Sequence, residues 1–289
     1  MSNYKGILTE ALPRLEYPVF IAGFSGWGNV LDVSMGMADY LVRKLNAEYF
    51  AKIDPDTFYR YDETRPVVNV EKGTLKSILP PGGSFYAART RPNANDIVIL
   101  RANEPNIRWF RFTDELFSFC EKLGIETIIT LGSMYDNVLH SDRIISGIVS
   151  DQELFSTLKN KNVAPISYQG PSAIHAIIQS AGQERGFRCV SLWCHCPYYL
   201  EGITHYGLLA DLGTLLASLI NFDLDTTELE ENWKELNKKI EALAEENPNL
   251  QDVIQEIRRE KVEGARASLR QSIKSGEKVI NLSDFLELK

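Results

Sequence analysis

Three glycines separate an apolar run from an amphipathic one in Gly23-Phe24-Ser25-Gly26-Trp27-Gly28-Asn29. That is the composition of a loop whose backbone N–H groups can close on a phosphate. A dinucleotide fingerprint would order the glycines G-x-G-x-x-G and place an acidic residue at the end of the following strand. Asp54 stands near that place, but the glycine order differs. No Gly-Lys-Ser/Thr follows, which excludes the triphosphate loop. The glycines therefore read as tight backbone geometry between strand and helix, while the helix beginning near Asn29 offers free N–H groups to an anion.

Residues 131–143 gather Ser133, Tyr135, Asp136, His140 and Asp142 just past a buried apolar run, where open α/β sheets hold their ligands. These types could compose a Ser-His-Asp relay. The G-x-S-x-G elbow is missing, however, and residues so close in sequence rarely reach that geometry from one loop, so a loop bonded to its own backbone is the alternative. In Trp193-Cys194-His195-Cys196-Pro197 the Cys-x-Cys spacing is tighter than that of paired zinc ligands, and no second pair appears. The cysteines read as core packing; no metal and no cofactor is expected. Residues 168–178 place Gly170, Pro171 and Ser172 ahead of a further helical stretch, which Ser172 is expected to cap.

The elements that must position these groups follow from periodicity. Residues 19–23 read as a strand and 29–45 as a helix with Val30, Val33, Met37, Tyr40, Leu41 and Leu45 on one face; 49–53 reads as the next strand. This opening predicts a parallel strand pair with a right-handed crossover. Residues 57–91 break into short alternating pieces, read as an insertion or hairpin at the sheet edge. Strands over 97–100, 127–131, 144–149 and 189–193 then alternate with helices over 107–123, 152–159, 172–184 and 206–220, which predicts a three-layer α/β/α domain. Beyond Phe222 the chain turns to charged helix formers. Leu229, Trp233, Leu236, Ile240 and Leu243 recur at 4-3-4-3 spacing, and Asn247-Pro248 breaks the pattern before Leu250, Val253, Ile254 and Ile257 restart it, predicting an antiparallel helix pair.

Composition narrows the partners. The 289 residues carry 31 Lys and Arg against 39 Asp and Glu, a formal net charge of −8, and no basic cluster marks a nucleic-acid footprint. No run approaches the ~20 apolar residues of a membrane span, and residues 1–14 lack the core of a leader segment. The four cysteines form no disulfide framework. A soluble cytoplasmic protein is expected.

Together these stretches resemble the PAC2 family, the proteasome assembly chaperone 2-like proteins of archaea and bacteria. The resemblance rests on the Gly26-Trp27-Gly28-Asn29 turn, Asp54-Pro55-x-x-Phe58-Tyr59 with Thr64-Arg65-Pro66, Leu131-Gly132-Ser133-Met134-Tyr135-Asp136, Gly170-Pro171-Ser172, Ser191-Leu192-Trp193-x-His195-x-Pro197-x-Tyr199, and the Asn247-Pro248 helix break. They occur in the family order over nearly the whole chain. The resemblance implies a three-layer α/β/α, phosphorylase/hydrolase-like domain with a mixed sheet, a C-terminal helical hairpin, and homo-oligomers, often trimers among bacterial relatives. Eukaryotic and archaeal relatives guide proteasome assembly by binding its subunits. Some members carry an ATP-grasp carboligase label, for which this sequence lacks both a glycine-rich loop with adjacent lysine and paired acidic magnesium ligands. Archaeal proteasome-binding relatives can end in a hydrophobic-Tyr-x tail; Glu287-Leu288-Lys289 closes this sequence, so docking through such a tail is not expected.

The resulting expectation is an α/β domain over residues 1–222 with a helical extension over 223–289. It acts as a non-enzymatic interaction scaffold or assembly chaperone for a protein client, in the form of a homo-oligomer and without nucleic-acid or membrane partners. The alternative is a small-molecule- or nucleotide-binding protein or enzyme. Its candidate cleft is formed by Ser25, Trp27, Asn29, Asp54, Ser133, Tyr135, Asp136 and Ser172, brought together at one edge of the sheet.

Overall fold

The computed structural model describes residues 6–9 and 11–274, with side chains as far as residue 262. The chain end at Glu287-Leu288-Lys289 lies outside the described residues. The strands are β1 (Ile7–Thr9), β2 (Val19–Ser25), β3 (Glu48–Ile53), β4 (Val67–Glu71), β5 (Thr74–Leu79), β6 (Gly83–Ala88), β7 (Ile97–Asn103), β8 (Thr127–Asp136), β9 (Ile145–Val149), β10 (Ala164–Pro165) and β11 (Arg188–Pro197). The helices are α1 (Val33–Lys44), α2 (Pro55–Phe58), α3 (Trp109–Leu123), α4 (Gln152–Lys159), α5 (Ile174–Glu184), α6 (Tyr206–Leu219), α7 (Thr227–Glu246) and α8 (Pro248–Lys274).

Nine of these strands form one mixed sheet in the order β1-β3-β6-β7-β2-β8-β11-β9-β10. Its centre, β7-β2-β8-β11, is parallel. The central strands are continuous apolar runs because both of their faces are covered. In β2, Val19 and Ile21 join the core shared with α1 and α6, while Phe20, Ala22 and Phe24 join the core shared with α3 and α5. Strand alternation thus divides one apolar run between two layers, and the three-layer α/β/α architecture with a mixed sheet follows.

The opening strands are arranged otherwise than expected. β2 and β3 are not neighbours, since β6 and β7 stand between them, and β3 pairs antiparallel with both β6 and β1. The signal lay in the pattern Glu48-Tyr49-Phe50-Ala51-Lys52-Ile53, whose exposed Glu48, Tyr49 and Lys52 suit a half-wet antiparallel strand. Residues 84–88 are likewise no edge insertion, because they belong to β6 inside the sheet. Gly83 allows the close approach there, since a Cβ on it would fall 2.4 Å from that of Ala102. Only β4 and β5 leave the domain, as a separate two-stranded hairpin in which every residue is exposed.

β8 and β11 both outrun their predicted ends and pair over ten residues, from Arg188 opposite Thr127 to Pro197 opposite Asp136. Trp193 lies across Gly132 in this pair, where a Cβ would come within 2.8 Å of its ring. The helix pair α7 and α8 forms as expected, broken at Asn247-Pro248. Leu229, Trp233 and Ile240 are buried and Leu236 packs against the same core, whereas Leu243 is 55% exposed. α8 returns to the loop after β8 through an ion pair of Lys261 with Asp142 at 2.6 Å and a bond from Asn137 to Glu260.

Candidate functional site

Hydrogen bonds close the turn after β2 onto β8. The Ser133 amide donates to the Gly28 carbonyl (2.9 Å) and its hydroxyl to that of Val30 (2.8 Å), while the Ser34 hydroxyl donates to Leu131 O (2.5 Å) and accepts from the Phe24 amide (3.0 Å). Asn29 Oδ1 accepts from the Met35 amide at 3.0 Å, so the turn ahead of α1 satisfies one of the helix's first donors, while the N-cap residue Asp32 makes no side-chain cap bond. Asp54 is spent in the same way on α2, where its carboxylate accepts from the Asp56 amide (3.3 Å) and the Thr57 hydroxyl (2.6 Å). The Ser25 hydroxyl accepts from Asn103 Nδ2 at 2.8 Å.

The second helix N-terminus differs from expectation. α5 begins at Ile174, and Ser172 makes no cap bond. Instead Glu104, just past β7, reaches across so that its Oε1 accepts from the Ile174 amide at 2.7 Å. A carboxylate at a helix N-terminus completes an orphan donor and meets the positive end of the dipole. Glu104→Ala should cost about 1–2 kcal/mol in urea unfolding, with Glu104→Gln intermediate because it keeps an acceptor and loses the charge. Equal midpoints for all three proteins would remove Glu104 from this role.

A Ser-His-Asp arrangement does exist, but not within residues 131–143. Asp136 on β8 meets His195 Nδ1 on β11 at 2.6 Å, and His195 Nε2 meets the Ser146 hydroxyl on β9 at 2.8 Å. The connectivity is that of a base-activated serine. Ser146 is 1% exposed, however, so its hydroxyl is enclosed by the sheet and its surroundings. His140 belongs elsewhere, with its amide and Nδ1 both on the Tyr199 hydroxyl at 2.7 Å. Sequence reading missed His195 and Ser146 as partners. The available signal was a serine inside the apolar run Ile145-Ser146-Gly147-Ile148 and a histidine two residues beyond Trp193, on the same face of its strand, since a buried polar side chain in a strand requires a partner. The neighbouring thiols are inert: burial raises Cys194 well above its usual range and Cys196 to about 12. Among the described residues no group of three His, Cys, Asp or Glu side chains gathers as a metal set.

The same face of the sheet carries a cavity of about 310 Å³ between α5 and the β8–β11 pair. Trp27, Met134, Tyr168, Ser172, His175 and Trp193 are among its walls, and no charged side chain is. Of the eight predicted site residues, Trp27 and Ser172 meet here. Asn29 and Ser133 meet in a bridge behind it, Asp136 sits on His195, Tyr135 is 46% exposed, and Ser25 and Asp54 are engaged as described. His175 is 2% exposed; its Nε2 lies 2.7 Å from the Leu131 carbonyl and its Nδ1 has no partner. Burial holds its pKa down at about 4, so the ring is neutral at physiological pH.

Comparison with known proteins places this architecture. Residues 20–244 match the model of the PAC2 family. A PAC2 family protein from Streptomyces avermitilis is 28% identical, with a TM-score of 0.74 over 82% of this chain and 99% of the other. A proteasome-assembly chaperone homologue from Mycobacterium tuberculosis is 23% identical, with a TM-score of 0.75 over 82% and 99%. PbaB from Pyrococcus furiosus, an archaeal proteasome activator, is 19% identical, with a TM-score of 0.65 over 82% and 97%. No curated protein matches the chain.

Proposed function

This chain belongs to the PAC2 family, and from that premise we propose that it is a cytoplasmic protein-interaction scaffold of the assembly-chaperone kind, working as a homo-oligomer on a protein client. The likeness to a proteasome-assembly chaperone homologue and to an archaeal proteasome activator supports a protein partner. Among the described residues no helix is long and apolar enough to cross a membrane.

The observation that carries the reading is the β4–β5 hairpin. Val68, Val70, Leu75 and Ile78 share one of its faces and are 53–58% exposed, while Val67 and Leu79 on the other are 67% and 69% exposed. A lone two-stranded ribbon is marginal in water, and two open edges with apolar faces call for cover. A second copy of the chain brings the same ribbon and can satisfy both edges and faces. Val68→Lys with Ile78→Lys should therefore reduce the solution mass by light scattering while leaving the secondary structure seen by circular dichroism unchanged, since neither residue packs in the domain. An unchanged mass and an unchanged set of co-purifying proteins would sink the hairpin as the contact.

The enzymatic alternative draws on Asp136, His195 and Ser146. We assign that chain to holding β8, β11 and β9 together, because its serine is enclosed. The cavity beside α5, without charged walls, also suits a triphosphate poorly.

A further inference from the structure

We infer that the cavity between α5 and the β8–β11 pair is a binding site for a small, neutral, flat aromatic molecule bearing one N–H or O–H donor, which His175 Nδ1 receives. This goes beyond the scaffold reading and does not depend on it.

The argument begins with the proton on His175. Its Nε2 faces the Leu131 carbonyl at 2.7 Å, and a carbonyl can only accept, so the ring hydrogen is on Nε2. Nδ1 then holds a lone pair and can only accept. Among the described residues it is the buried side-chain nitrogen or oxygen atom without a partner, on a histidine that is itself a wall of the cavity. Buried polar atoms are nearly always satisfied, and an exception at a pocket wall is what a ligand site leaves when its ligand is not in place. The low pKa keeps the lone pair free at neutral pH.

The remaining walls define the occupant. No Asp, Glu, Lys or Arg lines the cavity, so an ionic group would be stranded without a counter-charge. The Trp193 ring lies 4.9 Å from that of His175, and Trp27 stands 57% exposed at the same cavity, giving aromatic faces on which a flat ring can pack. Gly28 closes against the acceptor edge of His175. A Cβ there would stand 3.0 Å from Cε1 and 3.5 Å from Nδ1, so only bare glycine backbone covers that edge. At about 310 Å³ the space is at the small end of ligand pockets, right for one fused ring system rather than a nucleotide.

Indole and indene form a matched pair of probes, alike in shape but with the N–H present only in indole. Both would be titrated into the full chain and followed by amide chemical shifts. Because indene is the more apolar, burial alone favours it, and tighter binding of indole isolates the hydrogen bond. The expected result is a preference for indole on the order of tenfold, with shifts at cavity-wall residues. His175→Phe keeps a ring and removes the acceptor, and should abolish the preference. Ala176→Trp, at an exposed helix position on the cavity wall, should block both probes without loss of the thermal midpoint. Equal affinities in the wild type, a preference that survives His175→Phe, or binding that survives Ala176→Trp would overturn the assignment. So would a Trp-containing peptide that binds the cavity more tightly than indole, which would make the occupant a partner's side chain.

Discussion

Trp233→Ala is expected to lower the unfolding free energy by about 3–5 kcal/mol, among the largest effects available to one substitution in this chain. The indole is 7% exposed and lies flat on His205, with ring centres 4.6 Å apart and planes at 10°. Gly207 fits beneath it, where a Cβ would come within 2.8 Å of the ring. Above it Arg143 sits 5.3 Å from the ring centre, held by Glu230 at 2.7 and 3.0 Å and by Asp211 at 3.0 Å. Removing the ring opens a cavity and also frees a half-buried guanidinium from its apolar cover. Urea unfolding measures the loss, Trp233→Phe should recover part of it, and an unaltered midpoint for Trp233→Ala would show that α7 does not stabilise the domain.

Acid should remove a comparable amount through two histidines. Burial lowers both His175 and His205 from the usual 6.5 to about 4. Above pH 6.5 both are neutral in either state and impose no pH dependence. As pH falls from 6.5 towards 4 the unfolded chain binds protons that the folded chain refuses, so stability declines through that window and levels off below it. At about 1.4 kcal/mol per pH unit the two together cost about 5 kcal/mol between pH 7.5 and 4.5. Urea midpoints across that range should show the decline, with His175→Phe declining by about half as much. Parallel curves for variant and wild type would refute the assignment to His175.

The layers were legible in the sequence because residues 19–23 and 127–131 read as strands and residues 107–123 as a helix, signals that local sequence carries. Which strand neighbours which was not legible. Placing β6 and β7 between β2 and β3 depends on pairings between distant segments, and only the polar residues of β3 hinted at it. The site was half legible for the same reason. Trp27 and Ser172 were found at the ends of strands, but Asp136 had Ser133 and His140 as its local companions, and only the parallel register of β8 and β11 shows that His195 is the one it meets. Glu104 was overlooked because a cap is normally sought in the residue just before a helix, and this one arrives from seventy residues away.

The strand order also sets a timetable for synthesis. β2 is complete once Ser25 has been made, yet its neighbours β7 and β8 end at Asn103 and Asp136. At roughly 5–20 residues per second, the most apolar strand near the amino end waits on the order of ten seconds before the second of them is made and both its edges can be covered. β11, the partner of β8, follows later still, ending at Pro197. A central strand made early and paired late is an open, adhesive edge during synthesis, and whatever shields it on the ribosome favours the native pairing.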